Sequence, residues 1–230
     1  MSVHGKVVLI TGATTAMGRR LVDLFLNAGA SLAIGVRRMS ELVSLRQSMG
    51  VEDKRVLILP CDVRDEGDVV RTVHRVIRHF GRIDVLVNAA AIVGPKTPVV
   101  DYPVDPWRNV IATNLTGTYL LCREVLPWMT RQGCGSIINV TSSLTTSARP
   151  DWGAYLVSTH SIEGLTRLLA TELKGSGVRV NSVEMAAPAA GTGRGDESEW
   201  LQAFLWLASD ESAAKNGERI RAADFARVAS

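Results

Sequence analysis

The chain has 230 residues, 46% of them hydrophobic, enough to bury one full core and to place it among globular rather than disordered proteins. Its net charge of +3 comes from 26 basic and 23 acidic residues without a basic block interleaved with aromatics, which argues against a nucleic-acid partner. Apolar runs such as residues 7–10 and 85–87 fall far below membrane-spanning length, and the N-terminus enters a strand pattern directly. No membrane partner and no leader are therefore expected, and the expected location is cytoplasmic. Cys61, Cys122 and Cys134 are widely spaced and lack a CxxC pair, so they read as reduced thiols. His4, His74, His79 and His160 show no zinc-binding spacing, and no metal site is expected.

In chain order, residues 6–10 (KVVLI) form a short strand pattern, followed by an amphipathic helix over 17–27 that Gly29 closes. Residues 31–35 are a second strand, 40–48 a helix opened by Ser40, and 55–60 a third strand. Residues 66–80 place Val69, Val70, Val73, Val76, Ile77 and Phe80 on one helical face, with Arg71, Arg75 and Arg78 on a solvated side. Strands over 83–87, 136–140 and 178–183 alternate with long helices within 107–129 and 154–173. A helix over 198–207 and a short strand over 219–222 end the pattern. This alternation predicts one α/β domain over 1–230, a parallel sheet covered by helices on both faces. Residues 186–196 (AAPAAGTGRGD) read as its loosest, mobile loop.

The turn TGATTAMG, from Thr11 through Gly12 to Gly18, follows the first strand directly. A glycine-rich strand-to-helix turn brings backbone N–H groups close to a pyrophosphate. Taken alone it is also compatible with an ordinary turn. It is followed in order by Cys61-Asp62-Val63, Asn88-Ala89-Ala90-Ala91, Asn114 in TNLTGTY, Asn139-Val140-Thr141-Ser142, Tyr155, and Arg179-Val180-Asn181-Ser182-Val183. In this order and spacing the chain resembles the short-chain dehydrogenase/reductase family along nearly its whole length.

The resemblance implies a Rossmann-type doubly wound sheet of about seven strands, order 3-2-1-4-5-6-7, with a nicotinamide dinucleotide across its switch point. By position, Thr11, Gly12 and Gly18 form the pyrophosphate turn. Asp62 and the Val63 backbone meet the adenine, and Asn88 and Ala90 flank the ribose. Arg37, just beyond the second strand, suits a 2′-phosphate and tips NAD(P) toward NADP, although an ordinary exposed arginine explains it equally well. Asn114, Ser142 and Tyr155 stand at the catalytic positions. In working relatives the tyrosine is the general acid or base, the serine holds the substrate oxygen, and the asparagine anchors a relay water.

The departures cluster at the same places. The catalytic lysine four residues after the tyrosine is Thr159, a group without charge. A free tyrosine has a pKa near ~10, so action near neutrality needs a shift of up to ~3 units, about 4 kcal/mol. A neutral hydroxyl cannot supply that. His160 is rotated about 100° further round the helix and does not replace the lysine. Ala16 and Ala91 stand where the family carries glycine, and Met185-Ala186 replace Pro-Gly. Only about thirty residues separate Ala186 from Gly217, where relatives with substrate-lid helices use roughly fifty. Cofactor affinity is therefore expected to be weak or absent and the lid shortened.

The long helices that form the dimer interface in this family keep their apolar residues, among them Leu120, Leu121, Val125, Ile162 and Leu165. A kept scaffold with an eroded site is the pattern of an inactive subunit assembled with an active relative in a heterotetramer, with a homo-oligomer as the alternative. Such partners occur in the family, as in the heteromeric dehydrogenase that oxidises a hydroxylated benzylsuccinyl-CoA in anaerobic toluene breakdown, although no residue here specifies that pathway. Two other readings stay open: an oxidoreductase using Ser142 and Tyr155 without the lysine, and a non-redox isomerase or cyclase on the same scaffold.

Overall fold

The computed structural model describes residues 1–38, 40–41, 43, 45, 54–145, 148–185 and 197–225. The expected helix over 40–48 falls largely outside them, and the expected loop over 186–196 wholly so.

Seven parallel strands form one sheet in the order β3-β2-β1-β4-β5-β6-β7. They are β1 Val7–Thr11, β2 Ser31–Val36, β3 Val56–Pro60, β4 Val85–Asn88, β5 Gly135–Ser142, β6 Val178–Met185 and β7 Arg219–Arg221. The helices are α1 Ala16–Asn27, α2 Glu66–Phe80, α3 Val104–Ile111, α4 Gly117–Gln132, α5 Gly153–Glu172, α6 Glu197–Ala208 and the short α7 Ala222–Phe225.

Every residue of β1 is buried because both faces of the sheet are covered. Val8 and Ile10 face a core built with Leu21, Val22 and Phe25 of α1 and Phe204 and Leu207 of α6. Val7 and Leu9, pointing the other way, meet Val69, Val73 and Val76 of α2 and Leu121, Val125 and Met129 of α4. Of the residues expected on the inner face of 66–80, Val69, Val73 and Val76 are buried in this core with Ile77 and Phe80 packed against it, while Val70 is half-buried and not among them. Asp65 caps α2 by accepting from the Asp68 N–H at 2.7 Å, and Gly81, at φ 80°, ends the helix.

Two differences from the sequence reading bear on the site. The segment 107–129, expected to contain a long helix, holds the end of α3 and most of α4, joined by a π-helical turn, Ala112–Thr116, with Asn114 in it. The last strand ends at Arg221 and Ala222 opens α7, so the strand is one residue shorter than expected.

Candidate functional site

The carboxyl ends of β1 to β4 open onto a groove of about 200 Å³ at the point where strand order reverses from β1 to β4. Thr11, Gly12, Arg37, Asp62, Val63 and Ala90, six of the eight expected cofactor residues, line it. The other two serve the walls from within.

Gly18 is buried under the turn: a Cβ there would lie 2.1 Å from the Gly12 carbonyl oxygen. Gly12 itself has φ 76°, and a Cβ on it would lie 2.4 Å from the Ala89 oxygen. These two glycines let the turn pack against β4. Between them, Thr15 caps α1, donating to the Gly12 carbonyl at 2.9 Å and accepting from the Gly18 N–H at 3.0 Å. Ala16 opens α1 directly after the capping Thr15 and is exposed.

Asn88 is buried, donating to Asn139 Oδ1 at 2.8 Å, while Asn139 donates to Thr166 Oγ1 at 2.9 Å. This polar chain crosses from β4 through β5 to α5. Among the described residues, three buried oxygens around the groove have no hydrogen-bond partner: Thr11 Oγ1, Asn88 Oδ1 and Thr113 Oγ1. Thr11 and Thr113 line the groove itself. Uncompensated buried polar atoms are costly, so they mark where a polar ligand would be welcome.

Asp62 is gripped by Arg64, with Nε and Nη2 at 2.9 and 2.5 Å from its two oxygens. That hydrogen bonding holds the Asp62 carboxyl below its usual range against the opposing effect of burial. Arg64 also donates to Asn109 Oδ1 on α3 at 2.6 Å, tying the far wall of the groove to that helix. Arg38 is paired with Glu41 through its backbone N–H at 3.1 Å and its guanidinium at 3.5 Å. Arg37 is exposed, lines the groove, and makes no ion pair among the described residues.

Behind the groove lie the expected catalytic residues. Tyr155 and Ser142 are buried and joined by a hydrogen bond. Burial raises the Tyr155 pKa above its ordinary value of 10.0, and the Ser142 hydrogen bond opposes this only in part. Thr159, 3% exposed, donates its hydroxyl to the carbonyls of Tyr155 at 3.1 Å and Leu156 at 3.0 Å. Its side chain is spent on its own helix. His160 is exposed and its Nδ1 lies 3.0 Å from the Leu156 carbonyl, on the face away from Tyr155 as the helical geometry requires.

Asn114 is held by the π-helical turn against the non-strand segment that follows β4. Its Oδ1 accepts from the Ile92 N–H at 2.9 Å, and its Nδ2 donates to the Ile92 carbonyl and to Ser158 Oγ, both at 3.0 Å. Ile92 and Thr113 line the groove, and Ser158 Oγ donates to the Tyr155 carbonyl at 2.8 Å, so Asn114 links the groove wall to the backbone of Tyr155.

Sequence reasoning missed Arg64 and the residues around Trp152. The Arg64 contact spans two positions, and an arginine directly after Asp62-Val63 was a readable signal. Trp152 packs with Tyr155 at 5.8 Å between ring centroids, and Thr97 forms a bridge to it from the post-β4 segment. No local pattern announces contacts between residues 55 positions apart. Among the described residues no helix is long and apolar enough to cross a membrane, and no cluster of three or more His, Cys, Asp or Glu could hold a metal.

Comparison with known proteins agrees with this architecture. The short chain dehydrogenase family profile matches residues 6–196. D-threitol dehydrogenase of Mycolicibacterium smegmatis is 32% identical over 94% of this chain and 90% of its own. A 3-oxoacyl-[acyl-carrier-protein] reductase of Thermotoga maritima is 34% identical over 96% and 97%. A solved NAD+-bound xylitol dehydrogenase superposes with TM-score 0.83 at 28% identity, covering 95% of this chain and 97% of that one. At 24% identity, the 3-ketoacyl-(acyl-carrier-protein) reductase of Brucella melitensis, solved with NADH, shares the fold with TM-score 0.86 over 96% and 97%. With the family profile matched over residues 6–196, relatives above 30% identity along nearly the whole chain and the sheet order described above, the chain belongs to the short-chain dehydrogenase/reductase family.

Proposed function

We propose that this chain is a catalytically impaired member of its family that keeps a dinucleotide groove and a substrate-holding pair. Its role is that of a subunit assembled with an active NAD(P)-dependent dehydrogenase. The observation that carries this reading is Thr159, whose hydroxyl is bound to backbone carbonyls where the reaction needs a cation beside Tyr155.

The groove residues fit a dinucleotide. The hydroxyls of Thr11 and Thr113 and the Arg37 guanidinium, without hydrogen-bond or ion-pair partners among the described residues, join the first turn of α1 in offering donors and positive charge to a polar, anionic ligand. Nicotinamide dinucleotide, when bound, supplies or accepts a hydride. Thr11 and Gly12 would hold its pyrophosphate side, and Asp62, Val63 and Ala90 its adenosine side. Arg37 would favour the form bearing a 2′-phosphate. Exposed Ala16 adds a methyl at the mouth of the turn, which supports weak affinity.

At the substrate end Ser142 would hold an oxygen and Tyr155 would share a proton with it. Near neutrality the phenol stays protonated, because burial raises its pKa and, among the described residues, only the Ser142 hydrogen bond opposes this. It can donate a hydrogen bond to a carbonyl but is a poor base toward an alcohol. A second reading, slow turnover by this pair alone, is supported by the retained Tyr155–Ser142 hydrogen bond.

The direct test compares the wild-type chain with Thr159→Lys, each with NADH or NADPH and a simple carbonyl such as diacetyl. Background turnover in the wild type and a gain of about 100-fold or more in the variant are expected. Wild-type turnover equal to the variant's would favour the second reading. For the partner, the tagged chain isolated from its native host should bring with it a relative carrying the full Tyr-x-x-x-Lys motif. A pure homo-oligomer would remove the subunit role.

A further inference from the structure

Beside the Trp152–Tyr155 ring pair stands a cation that the mechanism does not use. The Lys96 ammonium lies over the Trp152 ring, 4.5 Å from its centroid, and the same indole packs in a tilted arrangement on the Tyr155 ring, with centroids 5.8 Å apart. Lys96 is exposed and makes no ion pair among the described residues. Lys6 and Lys215, by contrast, are bound to Asp210 and Glu218. An aromatic face positions an ammonium without neutralising it, so the full charge stays available to a ligand.

The arrangement is fixed from several sides. Thr97 bridges to Trp152, and its N–H donates to the Asp151 carbonyl at 3.2 Å. Asp151 has φ 69°, the one non-glycine residue at positive φ among those described, so the chain accepts strain where this contact forms. Its carboxylate, although adjacent, does not pair with Lys96 among the described residues. Val99, 70% exposed, lies beside the start of α5, where a Cβ on Gly153 would sit 3.2 Å from its Cγ2. An apolar shelf thus adjoins the cation.

We propose that Lys96 is a specificity-determining residue: the cleft takes a small oxo- or hydroxycarboxylate. Its carbonyl or hydroxyl oxygen meets Ser142 and Tyr155, its short chain crosses the Trp152 and Val99 surface, and its carboxylate meets Lys96. The proposal rests on the reading that the Ser142–Tyr155 cleft holds a ligand, and it does not depend on whether turnover follows. The two ring distances put the ammonium no more than about 10 Å from the centre of the Tyr155 ring.

Calorimetric titration with acetoacetate, levulinate and the methyl ester of each tests this on the full chain. At least one acid should bind the wild type, bind Lys96→Ala about tenfold more weakly, and bind Lys96→Arg nearly as well as the wild type. The esters should not distinguish wild type from Lys96→Ala. Equal binding of the acids to wild type and Lys96→Ala would overturn the proposal, as would no binding of either acid to the wild type at millimolar concentration. Lys96 is exposed and outside the core, so loss of fold does not confuse the outcome. The titration reads binding alone, so it can fail while the Thr159→Lys turnover test succeeds, or succeed while that test fails.

Discussion

The Thr159 hydroxyl donates to the Tyr155 carbonyl across 3.1 Å, one turn back along the same helix. The two residues share a helical face, as residues four apart must. The contact nevertheless delivers nothing to the phenol. It ends on the backbone of Tyr155, while the side chain remains buried with its pKa raised.

The first prediction follows from the sign of that shift. An acid whose pKa is raised keeps its proton until the solution is more alkaline than its ordinary value of 10.0. Any oxidation of an alcohol by the wild type should climb with pH through that region without levelling off below it. Thr159→Lys should level off up to ~3 pH units lower, because an ammonium beside the phenol favours its ionised form. Initial rates of NAD(P)+ reduction across pH check this. Tyr155→Phe should abolish the alkaline limb in both backgrounds.

Asn114 should prove structural as well as functional. Asn114→Ala leaves the Ile92 N–H, the Ile92 carbonyl and Ser158 Oγ each without one hydrogen bond. A loss of about 2–4 kcal/mol, or roughly 5–12 °C in Tm for a chain this size, is expected by thermal denaturation. A Tm within about 1 °C of wild type would show that Ile92 finds other partners.

The two ends of the phosphate turn should respond in opposite ways. Gly12→Ala forces a side chain into φ 76° and toward the Ala89 oxygen, and should cost more than about 3 kcal/mol. Ala16→Gly touches only solvent and the ligand's approach, so its stability cost should stay below about 1 kcal/mol. It should tighten NADH or NADPH binding by about fivefold, read by nucleotide fluorescence.

The adjacent arginines should also separate. Arg37→Ala should weaken NADPH binding about tenfold and leave NADH nearly unchanged, because only the former carries the 2′-phosphate. Arg38→Ala should spare both, since Arg38 is committed to Glu41. Equal losses for the two nucleotides with Arg37→Ala would assign that residue to general electrostatics.

Strand identity and sheet order were legible because hydrophobic runs and motif order survive even where the site has changed. Strand ends were less so. β1, β4 and β5 continue beyond their apolar runs to Thr11, Asn88 and Ser142. These polar residues stay paired, Thr11 with Asn88, Asn88 with Asn139 and Ser142 with Met185, and pairing leaves no mark on hydropathy. Ser142, Tyr155 and Thr159 could be placed from spacing along one helix and one strand end. The Arg64 grip on Asp62 and the Lys96–Trp152–Tyr155 stack could not, since they depend on where side chains meet after the crossovers close. The break at Ala112–Thr116 escaped for a different reason. A π turn keeps helical spacing on either side and shifts only the phase between them.

That phase has a cost for evolution. Each residue of a helix advances its side chain by about 100°, so removing one residue within Ala112–Thr116 would turn the whole of α4 relative to α3. The outward face of α4, where Tyr119, Arg123, Leu126 and Thr130 border a cavity of about 540 Å³, would swing toward the core, and Leu121 and Val125 would swing away. The inward pose of Asn114 and the outward address of that surface are thus indexed by the same five residues. A lineage that had stopped needing the asparagine's chemistry would still be held to this geometry by whatever the outer face of α4 must meet.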